Sequence, residues 1–72
     1  MKISARNRLP GIIREIRHGA VNAEVTLEIA PGINVFSIIT NDAVKELGLT
    51  VGSRAYGVIK ASSVMIGVDE RS

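Results

Sequence analysis

Two short segments near opposite ends of the chain carry the residue types best suited to chemistry: Ser4-Ala5-Arg6-Asn7 and Lys60-Ala61-Ser62-Ser63. Each joins hydroxyl, cation and small side chain at the edge of an apolar run. A tetrahedral oxyanion only accepts hydrogen bonds, so a selective site for one needs convergent donors, positive charge and no competing acceptor. Neither segment contains a carboxylate. A hydrogen bond to a charged group contributes about 1.5–3 kcal/mol. Micromolar binding requires about 8 kcal/mol. Roughly four to six aimed donors therefore suffice after ordering costs. Ser4, Arg6, Lys60 and neighbouring amides supply that number if the two segments converge. The plain alternative is surface. Ser, Arg, Asn and Lys at strand ends usually face water, and Ala61-Ser62-Ser63 also suits a tight bend.

Other chemistry is poorly provided for. His18 is the single histidine; beside Gly19 it reads as a turn or surface residue, without the partners that metal binding or general-base catalysis needs. Glu24 and Glu28 lie on the polar face of an alternating run, where solvation is the default. Gly19 and Gly32 make no phosphate loop, and no Ser/His/Asp set is recognisable. The expectation is a binding protein rather than an enzyme, with no bound metal ligands and no cofactor.

The elements that must position the donors follow from patterning. Residues 21–29 alternate, with Val21, Ala23, Val25, Leu27 and Ile29 apolar, which predicts a half-buried strand. Pro31-Gly32 is a turn signal, since proline fixes φ and glycine supplies a positive one. Residues 33–40 return as a hairpin strand. That strand is apolar on both faces, Ile33, Val35 and Ile39 on one and Phe36 and Ile38 on the other, which calls for cover on both. In so small a protein a second copy is the natural cover. Asn41 to Gly48 predicts a two-turn helix capped by Thr40 or Asn41, with Ala43, Val44 and Leu47 on its buried face. Residues 54–60 form a further strand, and Val64, Ile66 and Val68 alternate in a last one. Upstream, residues 3–7 and 10–17 read as two more. The fold expected is all-β with one short helix, an OB-like antiparallel barrel of five to six strands, as a single domain over residues 1–72.

Composition sets limits. A 72-residue chain buries only about 60% of its unfolded surface. With no cysteine it has no disulfide to compensate, so self-association is the remaining remedy. The absence of cysteine also fits a reducing cytosol. A net charge of +2 falls short of the dense basic stripe of a nucleic-acid binder. The N-terminus turns polar at once, unlike a signal peptide. No apolar run approaches the roughly 20 residues of a membrane helix. A cytoplasmic protein is expected.

Five short motifs occur in order: Ser4-Ala5-Arg6-Asn7, Val21-Asn22, Ile39-Thr40, Leu47-Gly48-Leu49 and Ile59-Lys60-Ala61-Ser62-Ser63-Val64. With this set, spread over nearly the whole length, the chain resembles the molbindins, small cytoplasmic molybdate- and tungstate-binding proteins built on the Mop version of the OB-like barrel. The resemblance implies an anion held between subunits. One subunit brings Ser4 and Arg6 with the amide of Ala5 or Arg6. Its neighbour brings Thr40, the start of the short helix, Lys60, and Ala61 and Ser62. Relatives often carry Ser where this chain has Ala43, so a hydroxyl is missing there, although the Ala43 amide can still serve. A second site near a symmetry axis is implied around His18, Gly19, Ala20 and Val21 with Ser62 and Ser63. The assembly implied is a homo-oligomer, a hexamer made as a trimer of dimers. It would store or buffer the oxyanion, with selectivity over sulfate coming from cavity size.

Two other readings remain. OB-like barrels often bind single-stranded nucleic acid by stacking bases on aromatic rings, but Phe36 and Tyr56 are the only aromatics here. Mop-like domains also serve as oxyanion-sensing modules of larger regulators and transporters. A chain starting at its own methionine, with no partner domain, suits a free-standing store better.

Overall fold

The alternating run at the centre of the sequence becomes the centre of the sheet. In the computed structural model, which describes residues 1–70, the strands are β1 (Asn7–His18), β2 (Asn22–Ala30), β3 (Ile33–Thr40) and β4 (Arg54–Ile59). A short helix α1 (Asn41–Glu46) links β3 to β4, and a 3-10 turn (Ala61–Ser63) follows β4. The sheet is antiparallel in the order β3-β2-β1-β4. It curls into an OB-like half-barrel.

β1 is shared in tandem by two ladders. Its first half pairs with β4, from Asn7↔Ile59 to Ile12↔Arg54. Its second half pairs with β2, from Ile12↔Glu28 to His18↔Ala23. Pro10 falls where β1 pairs only with β4, a position that tolerates a missing donor. This is why one strand runs through the proline where the sequence predicts two. Gly11 lies at the crossover. A Cβ there would stand 2.5 Å from the Glu28 carbonyl oxygen and 3.0 Å from Leu27 Cγ. Only glycine allows β2 to approach so closely.

The core is small. Ile13, Ala23, Val25, Leu27 and Val44 are buried, with Ile16, Ile29, Ile39, Leu49 and Ala55 packed against them. Four of those ten come from the inward face of β2, as its alternation predicts. α1 plugs the open end through Val44. Leu47, expected on the same face, is instead 69% exposed. The helix ends at Glu46, Leu47 is its C-cap, and Gly48 at φ +65° turns the chain away.

The strand count also differs from expectation, at four rather than five or six among the described residues. Residues 3–6 join no ladder, because β4 ends at Ile59, opposite Asn7. Residues 64–68 also stay outside the sheet. Of the expected tail, Arg71 and Ser72 lie outside the described residues.

The β2–β3 turn is held by one carboxylate. Arg14 Nε and Nη2 donate to Glu28 Oε1 at 3.0 and 2.8 Å, and the Gly32 amide donates to Glu28 Oε2 at 3.3 Å. The Arg14 hydrogen bonds, and then the Gly32 amide, hold the Glu28 carboxyl below its usual value. A lowered folded-state value means stabilisation that is present above the ordinary carboxylate range and is lost as acid protonates Glu28. In a Glu28→Gln chain, the fall in the urea midpoint between pH 7 and pH 3 should therefore be shallower than in the parent. Identical acid limbs would remove Glu28 from the pH response.

Candidate functional site

The ladder between β1 and β4 decides where the two donor segments go. Asn7 pairs with Ile59, and the Asn7 side-chain amide donates to the Ile59 carbonyl at 3.2 Å. Ser4-Ala5-Arg6 therefore enters the sheet at the end where Lys60-Ala61-Ser62-Ser63 leaves it. Segments more than fifty residues apart in sequence thus come to one end of the sheet within one chain, whereas the resemblance implied that Lys60 reaches the anion from a neighbour.

At that end the donors have no carboxylate partner among the described residues. The ion pairs among the described residues are Arg14–Glu28 and Arg17–Glu15, so neither Arg6 nor Lys60 is neutralised by a carboxylate. Ser4, Arg6, Lys60, Ala61, Ser62 and Ser63 are all exposed, and Ala5 is half-buried. The 3-10 turn uses the Ser63 amide on the Lys60 carbonyl at 2.9 Å and the Val64 amide on the Ala61 carbonyl at 3.3 Å. The first amides of such a turn, here Ala61 and Ser62, have no acceptor within it. One end of the sheet thus offers two cations that are unpaired among the described residues, with hydroxyls and turn amides, and no acid in either segment.

The remaining predicted residues form a second group at the other end of β1. Asn22 pairs with Thr40, and His18 with Ala23. Thr40 caps α1, its Oγ1 accepting from the Ala43 amide at 3.0 Å. The Ala43 amide, expected to be available for a ligand, is therefore engaged in the cap, while the Thr40 hydroxyl hydrogen is left to donate. The His18–Val21 loop is tied to α1 by a residue that the sequence marks only as an alternative cap. The Asn41 backbone amide donates to the Val21 carbonyl at 2.8 Å, and its side-chain amide donates to the Gly19 carbonyl at 3.0 Å. That turns Asn41 Oδ1 toward His18 Nδ1 at 2.7 Å, so Nδ1 carries the proton and donates. Ala20 stays exposed at the loop tip. An Asn at a strand–helix junction was the available signal, but nothing local pairs it with a loop 22 residues away.

The two groups do not meet within one chain. At a rise of about 3.3 Å per residue, a strand of this length spans roughly 36 Å. Thr40 and Ala43 lie by the His18 end of β1, and Ser4, Arg6 and Lys60 by the Asn7 end. Ser62 and Ser63 are separated from His18, Gly19, Ala20 and Val21 in the same way.

Residues 3–66 match the TOBE domain model. A probable molybdenum-pterin-binding protein of Haemophilus influenzae is 52% identical over 69 residues, covering 96% of this chain and 100% of that protein. The chain belongs to the TOBE-domain family, in its molbindin (Mop) branch. Solved structures agree. MopII from Clostridium pasteurianum superposes on this TOBE domain with a TM-score of 0.85 at 46% identity, covering 93% of this chain and 100% of the other. The cytoplasmic molybdate-binding protein ModG, solved with molybdate bound, gives 0.89 at 51% identity, covering 96% of this chain and 49% of that one. The similarity runs through both groups of predicted site residues, since the TOBE match spans residues from Ser4 to Val64.

Proposed function

We propose that this chain binds molybdate, with tungstate as the alternative cargo, at sites shared between copies of a homo-oligomer, a hexamer built as a trimer of dimers. It holds the ion in the cytoplasm as a store or buffer, without catalysis and without a cofactor. The observation that carries this reading is the convergence of Ser4-Ala5-Arg6 and Lys60-Ala61-Ser62 at one end of the β1–β4 ladder. Both cations there lack a carboxylate partner among the described residues. The separation of Thr40 and Ala43 from that end supports a site completed by a neighbour. So does the outward apolar face of β3, where Phe36 and Ile38 are exposed. The ion is the one that the similar protein ModG holds. The second site, around His18, Gly19, Ala20 and Val21 with Ser62 and Ser63, likewise requires a contact between copies. Phe36 and Tyr56 are the only aromatic side chains of the sequence, which disfavours a stacking platform for successive nucleic-acid bases.

Native mass spectrometry with and without molybdate tests this. The expected result is an assembly of six chains that gains mass in steps of bound oxyanion, with sulfate failing to displace it. A single chain at micromolar concentration that takes up no oxyanion would overturn the reading.

A further inference from the structure

The two groups of predicted residues differ in the source of their positive charge. Arg6 and Lys60 bring fixed cations, since guanidinium and ammonium groups ordinarily keep their protons through the neutral range. Among His18, Gly19, Ala20, Val21, Ser62 and Ser63, the residues of the second site, His18 is the one ionisable side chain. The Ala20 and Val21 amides make no backbone hydrogen bond among the described residues. They are neutral donors, as are the hydroxyls of Ser62 and Ser63. Within that set, a doubly negative ligand meets positive charge only when the imidazole carries its second proton.

Asn41 decides which ring nitrogen holds the first proton. Its Nδ2 donates to the Gly19 carbonyl at 3.0 Å, which turns Oδ1 to His18 Nδ1 at 2.7 Å. A flipped Asn41 would set Oδ1 against the Gly19 carbonyl oxygen, acceptor against acceptor. The neutral ring is therefore protonated on Nδ1, and Nε2 is a bare lone pair. Nε2 has no hydrogen-bond partner among the described residues, and His18 is exposed. Toward an oxyanion the neutral ring offers only an acceptor, whereas the imidazolium offers a donor and a full charge. Histidine ordinarily makes that change between about pH 5 and 8. The charged groups on the elements that meet at His18 are Arg17 on β1, Glu24 on β2, and Asp42 and Lys45 on α1; β3 has none. Arg17 and Glu24 face the other side of the sheet from His18. None of the four forms an ion pair with His18 among the described residues, and groups of their kinds ordinarily titrate outside that range.

We infer that the second site is proton-linked: His18, held by Asn41, grips the oxyanion through Nε2 only as the imidazolium, so filling the site in neutral solution takes up a proton. Asn41 is the positioning residue of that contact. The first site, with its fixed cations, loads equally well across the same range. The inference deepens the proposed function and rests on its second site.

Titration calorimetry of the assembled parent with molybdate, at pH 6 and at pH 8 and in buffers of different ionisation enthalpy, tests this. Two classes of site are expected. One keeps its affinity, and the other is about tenfold weaker at pH 8 and takes up protons on binding. His18→Gln should leave that second class weak at both pH values, and His18→Lys, a fixed cation, should restore it at pH 8. Asn41→Asp sets a carboxylate against Nδ1 and should carry the affinity profile to higher pH, a displacement that a merely structural role would not produce. Because His18 is the single histidine, the nitrogen chemical shifts of its ring read the neutral tautomer directly, and Nδ1–H is expected. An Nε2–H tautomer, a second class of equal affinity at both pH values, or a His18→Gln chain as pH-dependent as the parent would each overturn the proton link and leave the second site standing. A single class of sites would overturn the second site and this inference with it, and no uptake at either pH would overturn the proposed function.

Discussion

Replacing Arg6 or Lys60 with alanine should weaken molybdate binding by about 10- to 150-fold in each case, the loss of one charge-assisted contact of roughly 1.5–3 kcal/mol. The assembly should be unchanged. Both side chains are exposed and neither joins an ion pair among the described residues, so removing them strands no buried charge. Ser4→Ala should cost less, because a neutral donor contributes only about 0.5–1.5 kcal/mol. Titration calorimetry on the three variants, with native mass as the control, separates a lost contact from a lost assembly. Unchanged affinity in both the Arg6 and the Lys60 variants would place the ion elsewhere.

The largest effect on folding is expected from Gly11→Ala. The added methyl would meet the Glu28 carbonyl oxygen at 2.5 Å, and that atom belongs to a paired strand that cannot rotate away. Overpacking a core usually costs about 1–3 kcal/mol and occasionally more; relief here requires the backbone itself to move, so about 3 kcal/mol or more is expected. For a domain of this size, total stability is on the order of 4–11 kcal/mol, and each kcal/mol lost lowers the melting temperature by about 4–8 °C. A drop of at least about 12 °C should follow. Gly57→Ala is the comparison. Its methyl would meet Leu27 Cδ2 at 3.2 Å, the end of a side chain that can shift, so its melting temperature should fall much less. Equal melting temperatures for Gly11→Ala and the parent would mean that β1 and β2 do not approach as closely as described.

Much of this fold can be read from alternation alone. β2, β3 and β4 begin and end within a residue or two of the predicted runs, and Thr40 caps α1 as its residue type implies. What alternation misses is partnership. Residues 64–68 have the pattern of a strand, yet pattern does not guarantee a partner, and they stay outside the sheet. Pro10 looks like a break because the sequence does not show that β1 has one partner at that point. Leu47 looks buried on a helical projection, but the helix stops one residue before it. The candidate site divides along the same line. Its donors were legible as residue types, and their convergence depends on the single register Asn7↔Ile59. The roles of Asn41 and of the Ala43 amide were not legible. Both come from contacts at the junction of β3, α1 and a loop far away in sequence, where no periodicity operates.

The division of the donors between the two ends of β1 has a thermodynamic consequence. On the proposed reading, one ion is clasped by two polypeptides, so uptake and assembly are linked equilibria. Filling the sites tightens the ring, and dilution of the protein loosens its grip on the cargo. Retention would then depend on how much of the protein is present as well as on how much oxyanion is. A cell could discharge the store by turning over the protein, with no separate release machinery.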